Sequence, residues 1–228
     1  MIQPGRASIV IPCYNQAEYL PEAIESALAQ TYGDVEVVVV NDGSPDATSE
    51  VARRYPVVLV EQDNAGLSAA RNAGILAASG QFILTLDADD MIDRTFIEKA
   101  VPLFTTGVGI VRAYQQNFGD DDTAYALPDV RTVYDILPRN AICCCSVFRR
   151  DLWEKVGGFD ENMKSGYEDW EFWIRILAKR KQVRTIPEVL FLYRKHGRSM
   201  IDETLEQHQD IVDYIKNKHR DLYRSVRR

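Results

Sequence analysis

The sequence predicts an α/β fold with a mostly parallel central sheet, and three observations carry that expectation. Strand and helix patterns alternate at short intervals through the first half, as in a sheet assembled from βα units. Residues 35–41 are so continuously apolar that both faces of that strand are expected to be buried, as in the middle of a parallel sheet. Polar residues then gather at or just past the C-terminal ends of successive strands, where open α/β sheets bind their ligands.

Taken in order, residues 7–12 form a strand, followed by a helix with Leu20, Ile24, Ala27 and Leu28 at helical spacing. Residues 35–41, 57–61 and 82–87 supply three more strands, with helices over 46–54 and 67–79 between them. The small residues of the second of these helices allow close packing on the sheet. The second half predicts a helix over 93–104, a strand over 108–118, an Asp-rich loop at 119–122 and a strand over 142–148. A short helix ends at Gly157 and Gly158, which suit a C-cap. A helix over 166–180 carries Trp170, Trp173, Ile174 and Leu177 on one face, with Trp173 expected in the core. The last helix, from about residue 202, puts Leu205, His208, Val212, Ile215 and Leu222 on one stripe.

A length of 228 residues suits one such domain, and 46% hydrophobic against 27% charged residues excludes wholesale disorder. The apolar runs are far shorter than the roughly 20 residues of a membrane-spanning helix, and the first residues lack the pattern of a signal peptide, so the expected location is cytoplasmic. A net charge of −7 argues against nucleic-acid binding. The end from Tyr214 is basic, with Lys216, Lys218, Arg220, Arg224, Arg227 and Arg228 against Asp221. The plainer reading is a solvated helix end; the sharper one is weak contact with the inner face of an anionic membrane. Cys143, Cys144 and Cys145, read as strand residues pointing to alternate faces, make a poor metal site and are expected as free thiols.

Several residues could carry chemistry. The stretch Asp87, Ala88, Asp89, Asp90 follows an apolar strand; three carboxylates there would repel one another without a cation, and hard Mg2+ or Mn2+ favours such oxygens. The plainer reading is a helix start. Asp42, in a turn-rich stretch, could accept hydrogen bonds from a base or ribose, and Tyr14 could stack on a nucleobase. Arg71 could clamp a diphosphate or form a surface ion pair. Ser165 and Glu168 fit a capping box, which leaves Asp169 as a carboxylate without local duty, kept ionised by its helix N-terminus and free to deprotonate a hydroxyl. Trp170 could stack on a sugar, and His196 could complete a metal site with Asp89. No GxGxxG follows the first strand and no GxxxxGKS/T occurs, which removes the main support for a dinucleotide site or a P-loop.

Seven ordered stretches resemble the family 2 glycosyltransferases of GT-A fold: SIVIPCYN (8–15), VVVNDGSPD (38–46), NAGLSAARNAG (64–74), LDADD (86–90), VGGFDE (156–161), GYEDW (166–170) and YRKHG (193–197). The resemblance covers residues 7–200 and implies one GT-A domain. Its nucleotide-sugar-binding, Rossmann-like half spans 7–90, an acceptor and catalytic half spans 91–200, and a C-terminal amphipathic helix spans 201–228. It implies a donor site of Pro12, Tyr14, Asn15, Asp42, Asn64, Gly66, Arg71, Asp87, Ala88 and Asp89. It further implies a divalent metal, Mn2+ or Mg2+, at a DXD motif of Asp87 and Asp89 with His196, Asp89 being the expected direct ligand. Asp169 takes the place of an inverting catalytic base, and Glu168 and Trp170 face the acceptor. The donor implied is a nucleoside-diphosphate sugar, a UDP-sugar first, and the acceptor a saccharide or lipid-linked saccharide. The absent Q/RxxRW motif makes a polymerising synthase a poor match. Two other classes compete: another Asp-pair enzyme acting on phosphates, a phosphatase or nucleotidyltransferase, and a binding module without turnover, which would need no base at Asp169.

Overall fold

The computed structural model describes residues 2–125, 127–197 and 206–225. In chain order β1 (Gln3–Cys13), α1 (Leu20–Leu28), β2 (Val35–Asp42), α2 (Thr48–Ala52), β3 (Val58–Gln62), α3 (Leu67–Ala77) and β4 (Gly80–Thr85) form the first half. These strands lie in the order β3-β2-β1-β4, all parallel. The strand order therefore reverses between β1 and β4, which opens a crevice beyond their carboxyl ends. Alternation along the strands divides the core: Ile9, Ile11, Val37 and Val39 face one layer of helices, and Val10, Val38 and Val40 face the other.

The second half adds β5 (Met91–Ile92), α4 (Phe96–Ala100), β6 (Val108–Gly119), β7 (Ala124–Tyr125), β8 (Val147–Arg149), α5 (Arg150–Val156), α6 (Glu168–Ala178) and β9 (Gln182–Lys195). The chain described ends with α7 (His208–Lys218) and α8 (Arg220–Ser225). The sheet continues past β4 through β8, β6, β9 and β5. Antiparallel β8 joins the two halves, and β6 and β9 run parallel over most of their length.

Most expected elements are present, and the differences have local causes. Leu28 is exposed, because eight residues at about 100° each carry it about 80° off Leu20, whereas Ala27 falls within about 20° of it. The strand expected over 142–148 is confined to Val147–Arg149. The cysteines before it lie in an irregular loop, pinned where Ser146 Oγ donates to the Cys143 carbonyl and Thr85 Oγ1 to that of Cys144. The helix expected over 93–104 is short and passes into a 3-10 turn at Val101–Leu103, where Pro102 lacks an amide hydrogen. β9, only partly visible as the apolar run 189–192, is a long strand whose pairing to β6 shifts register around Pro187. The last helix breaks at His219; its expected start, Leu205, Arg227 and Arg228 lie outside the described residues.

Two glycines serve the packing and ending of helices. Gly74 lets α3 lie against β1 and β2, since a Cβ there would come within 2.3 Å of Val10 Cγ1. Gly157 ends α5 in the left-handed region at φ 84°, as a C-cap requires.

Candidate active site

A cavity of about 430 Å³ occupies the crevice at the reversal of strand order. Pro12, Cys13 and Tyr14 reach it from the end of β1, Asp42 from β2, and Asn64 and Gly66 from the turn into α3. Asp87 and Asp89 follow β4, and Tyr193 and His196 arrive from the end of β9. Tyr14 is 51% exposed at the mouth, whereas Asn15 is exposed but does not line the cavity.

Asp42 is buried and already engaged: its Oδ1 accepts from Gln62 Nε2 at 2.7 Å and Ala65 N at 2.9 Å, and its Oδ2 from Gly66 N at 2.9 Å. It thus folds the turn that presents Asn64, with Gly66 at φ 94° heading α3. Spare lone pairs on a carboxylate still allow it to face a ligand.

Arg71, expected at the diphosphate, does not line the cavity. Its guanidinium is wholly buried and bridges Asp87 Oδ1 at 2.7 Å and Glu168 Oε1, lying 5.6 Å from the centre of the Phe159 ring. Burial disfavours the cation, but Asp87 and Glu168 more than compensate and hold it charged. Glu168 is therefore no capping-box partner: Tyr167 heads α6 in the left-handed region at φ 57°, with no side-chain cap bond. Nor does Glu168 stand open to an acceptor, being buried against Arg71. Asp87 is held on its other oxygen by the Cys144 thiol, which donates to Oδ2 at 3.3 Å.

Ala88 is buried in the core, so its side chain contacts no ligand. Asp90 is buried as well, accepting at one oxygen from Arg194 N at 2.8 Å and unpartnered at the other. Burial, then Asp87 and Asp89, push its pKa well up, which favours the neutral acid. Asp87 and Asp89 both line the cavity, but Asp89 has no Arg or Lys partner among the described residues, and its Oδ2 lies 2.9 Å from His196 Nε2. The His196 ring is steadied by Tyr19, their ring centres 4.6 Å apart.

A carboxylate oxygen and an imidazole nitrogen converging from separate strands suit one face of a divalent cation. Among the described residues no group of three or more His, Cys, Asp or Glu converges as a full cage.

Asp169 begins α6, 9% exposed, and accepts from Asn140 Nδ2 at 2.9 Å and from the Trp170 amide at 2.7 Å. The helix N-terminus does not keep it strongly ionised: burial first, and the neighbouring Glu168 second, push its pKa up to about 7. A carboxyl poised near neutrality is a suitable proton acceptor. Trp170, expected to stack on a sugar, is 3% exposed with its indole N–H donated to the Ile136 carbonyl at 2.6 Å, so it is packing. Trp173 is core, as expected.

Residues 8–157 match Glycosyl transferase family 2, and residues 121–214 match Glycosyltransferase like family 2. The chain belongs to glycosyltransferase family 2. An uncharacterized glycosyltransferase of Rickettsia prowazekii is 30% identical over 90% of this chain and 69% of its own length. The minor teichoic acid biosynthesis protein GgaB of Bacillus subtilis is 31% identical over 82% of this chain and 23% of its own. The chain spans less than two thirds of several curated relatives, down to 15% of one. The fold is GT-A-like. S. aureus TarS 1–349 in complex with UDP-GlcNAc superposes with a TM-score of 0.74 at 20% identity, over 86% of this chain and 60% of that one. The mannosyltransferase PcManGT from Pyrobaculum calidifontis, in complex with GDP-Man and Mn2+, gives 0.72 at 23% identity, over 94% and 64%.

Three residues of this glycosyltransferase escaped sequence reasoning. Lys164, in the loop before α6, brings a cation to the cavity wall. Asn140 orients Asp169 from a loop with no recognisable motif. Arg112, a buried cation in the apolar first half of β6, donates to Thr185 Oγ1 at 3.0 Å and to the carbonyls of Ala141 and Pro128, so it holds the loop that carries Asn140. Its position among Val108, Ile110, Val111 and Ala113 was the available signal.

Proposed function

We propose that this glycosyltransferase moves a sugar from a nucleoside-diphosphate sugar to a hydroxyl acceptor in glycoconjugate synthesis, with inversion and with Asp169 as base. The observation that carries the reading is Asp169 itself: a buried carboxyl raised to about 7 and oriented by an amide. The acceptor hydroxyl loses its proton to Asp169 as its oxygen bonds to the anomeric carbon, and the bond to the diphosphate breaks with its electrons going to the leaving nucleoside diphosphate.

Asp89 and His196 would hold a divalent cation, Mn2+ or Mg2+, which when bound neutralises charge on the diphosphate. Lys164 takes the diphosphate role first expected of Arg71, because it lines the cavity while the guanidinium of Arg71 is enclosed. Tyr14 and Asp42 would receive the nucleoside. The UDP-GlcNAc of TarS and the GDP-Man and Mn2+ of PcManGT support a uracil or guanine donor and metal dependence. The acceptor proposed is a saccharide or lipid-linked saccharide. The setting proposed is the cytoplasm, at the inner membrane face; among the described residues no helix is long and apolar enough to cross a membrane.

The test is a thermal-shift panel of UDP, GDP, dTDP, CDP and ADP, each with Mn2+, Mg2+ or EDTA, since a ligand of the folded state raises its apparent stability. Stabilisation by one nucleotide that disappears with EDTA is the expected result. No response to any nucleotide would overturn the donor reading.

A further inference from the structure

A second cavity, of about 450 Å³, opens on the far side of Asn140. Asn140 lines it while its amide donates to Asp169, so this cavity stands one side chain away from the proposed base. Its walls are mixed. Leu137, Val212 and the rings of Tyr134 and Tyr223 make an apolar and aromatic surface, whereas Arg139, Lys216 and His208 bring basic nitrogens. No Asp or Glu lines it, in a chain with 34 acidic against 27 basic residues.

The two cations are free to act on a ligand. Lys218, on the same helix as Lys216, is neutralised by Asp160 and Glu171, but Arg139 and Lys216 have no carboxylate partner among the described residues. The cavity is also coupled to α6. His208 Nδ1 meets the hydroxyl of Tyr167 at 3.0 Å, Tyr167 immediately precedes Glu168 and Asp169, and Trp170 lines the same wall. A ligand held here bears on the residue proposed to take the proton.

We propose that this cavity holds the phosphate-bearing, apolar end of an amphiphilic acceptor, the phosphate received by Arg139 and Lys216 and the apolar chain lying along Leu137, Val212 and Tyr223. The proposal rests on the transferase reading and adds to it the chemical class of the acceptor. Arginine and lysine without acidic neighbours select an anion, and charge-assisted hydrogen bonds to phosphate are among the stronger polar contacts. The apolar walls distinguish an amphiphile from a fully hydrated phosphate, because they gain from burial only against an apolar chain.

The test is calorimetric titration of the wild-type chain with dihexanoyl phosphatidic acid below its micelle concentration, against sn-glycerol 3-phosphate and dihexanoyl phosphatidylcholine. Saturable binding of the phosphatidic acid is expected. Glycerol 3-phosphate should bind at least about tenfold more weakly, the choline lipid should give no measurable heat, and the Arg139→Glu/Lys216→Glu variant should lose at least about tenfold in affinity. Equal affinity for glycerol 3-phosphate, unchanged affinity in the double variant, or no binding of the phosphatidic acid would each overturn the proposal. Nucleotide affinity with Mn2+, measured on the same samples, separates the two readings: its retention with loss of lipid binding isolates this cavity, and its absence in wild type sinks the donor site instead. A normal thermal transition and nucleotide response in the double variant exclude misfolding as the cause.

Discussion

Asp169 combines two properties that ordinarily oppose each other, burial and the proposed role for its charge. Its folded pKa of about 7 lies above the ordinary 3.8, so between those values the folded chain holds a proton that the unfolded chain has released. The stability contributed by this carboxyl is therefore complete below about pH 4 and is lost as pH rises through about 7. Asp169→Asn removes the titration, and its melting temperature should gain on wild type between pH 5 and pH 8; a difference independent of pH would refute the assignment. The same variant should transfer sugar at least about 10²-fold more slowly with nucleotide affinity within about twofold of wild type, read from kcat and from direct titration. In wild type, kcat should rise with pH through about 7 and then level, as expected of a base; a profile that falls over that range would argue for an acid.

Among the elements, α3 joins the packing to the site. Gly74→Ala puts a methyl group 2.3 Å from Val10 Cγ1, and the overpacking should cost about 1–3 kcal/mol, enough to outweigh the helix propensity of alanine. Arg71→Ala leaves Asp87 and Glu168 facing each other without their shared cation, and chemical denaturation should show a loss of about 3–5 kcal/mol. An Arg71 variant of wild-type stability would mean that the bridge is not structural. This helix also shows what was legible beforehand. Its start at Leu67, its small packing face and the presence of Arg71 near the crevice followed from local pattern, whereas its end falls at Ala77 rather than at 79. The destination of Arg71 did not, since its partner Glu168 lies 97 residues further along the chain. β9 was obscured in the same way: Pro187 interrupts its pattern, and its pairing with β6 is a non-local fact. Asn140 and Lys164 are ordinary polar residues in loops, and only the folded chain brings them to the site.

Across the whole molecule, one sheet carries both halves: β8 pairs with β4 on one side and β6 on the other, and both packed layers draw residues from either half. We expect a single domain that unfolds as one unit. The three tryptophans, Trp153, Trp170 and Trp173, all lie in the second half, so their fluorescence and the far-UV circular dichroism should give one coincident transition in denaturant; separate midpoints would show two folding units. The half proposed to bind the nucleotide also arrives preorganised. Because Asp42 already gathers the donors of Gln62, Ala65 and Gly66, the turn bearing Asn64 is shaped before any ligand arrives. A nucleoside docking there would not have to freeze that loop, so its association would be governed by encounter and desolvation, without a slow loop-ordering phase in the binding kinetics.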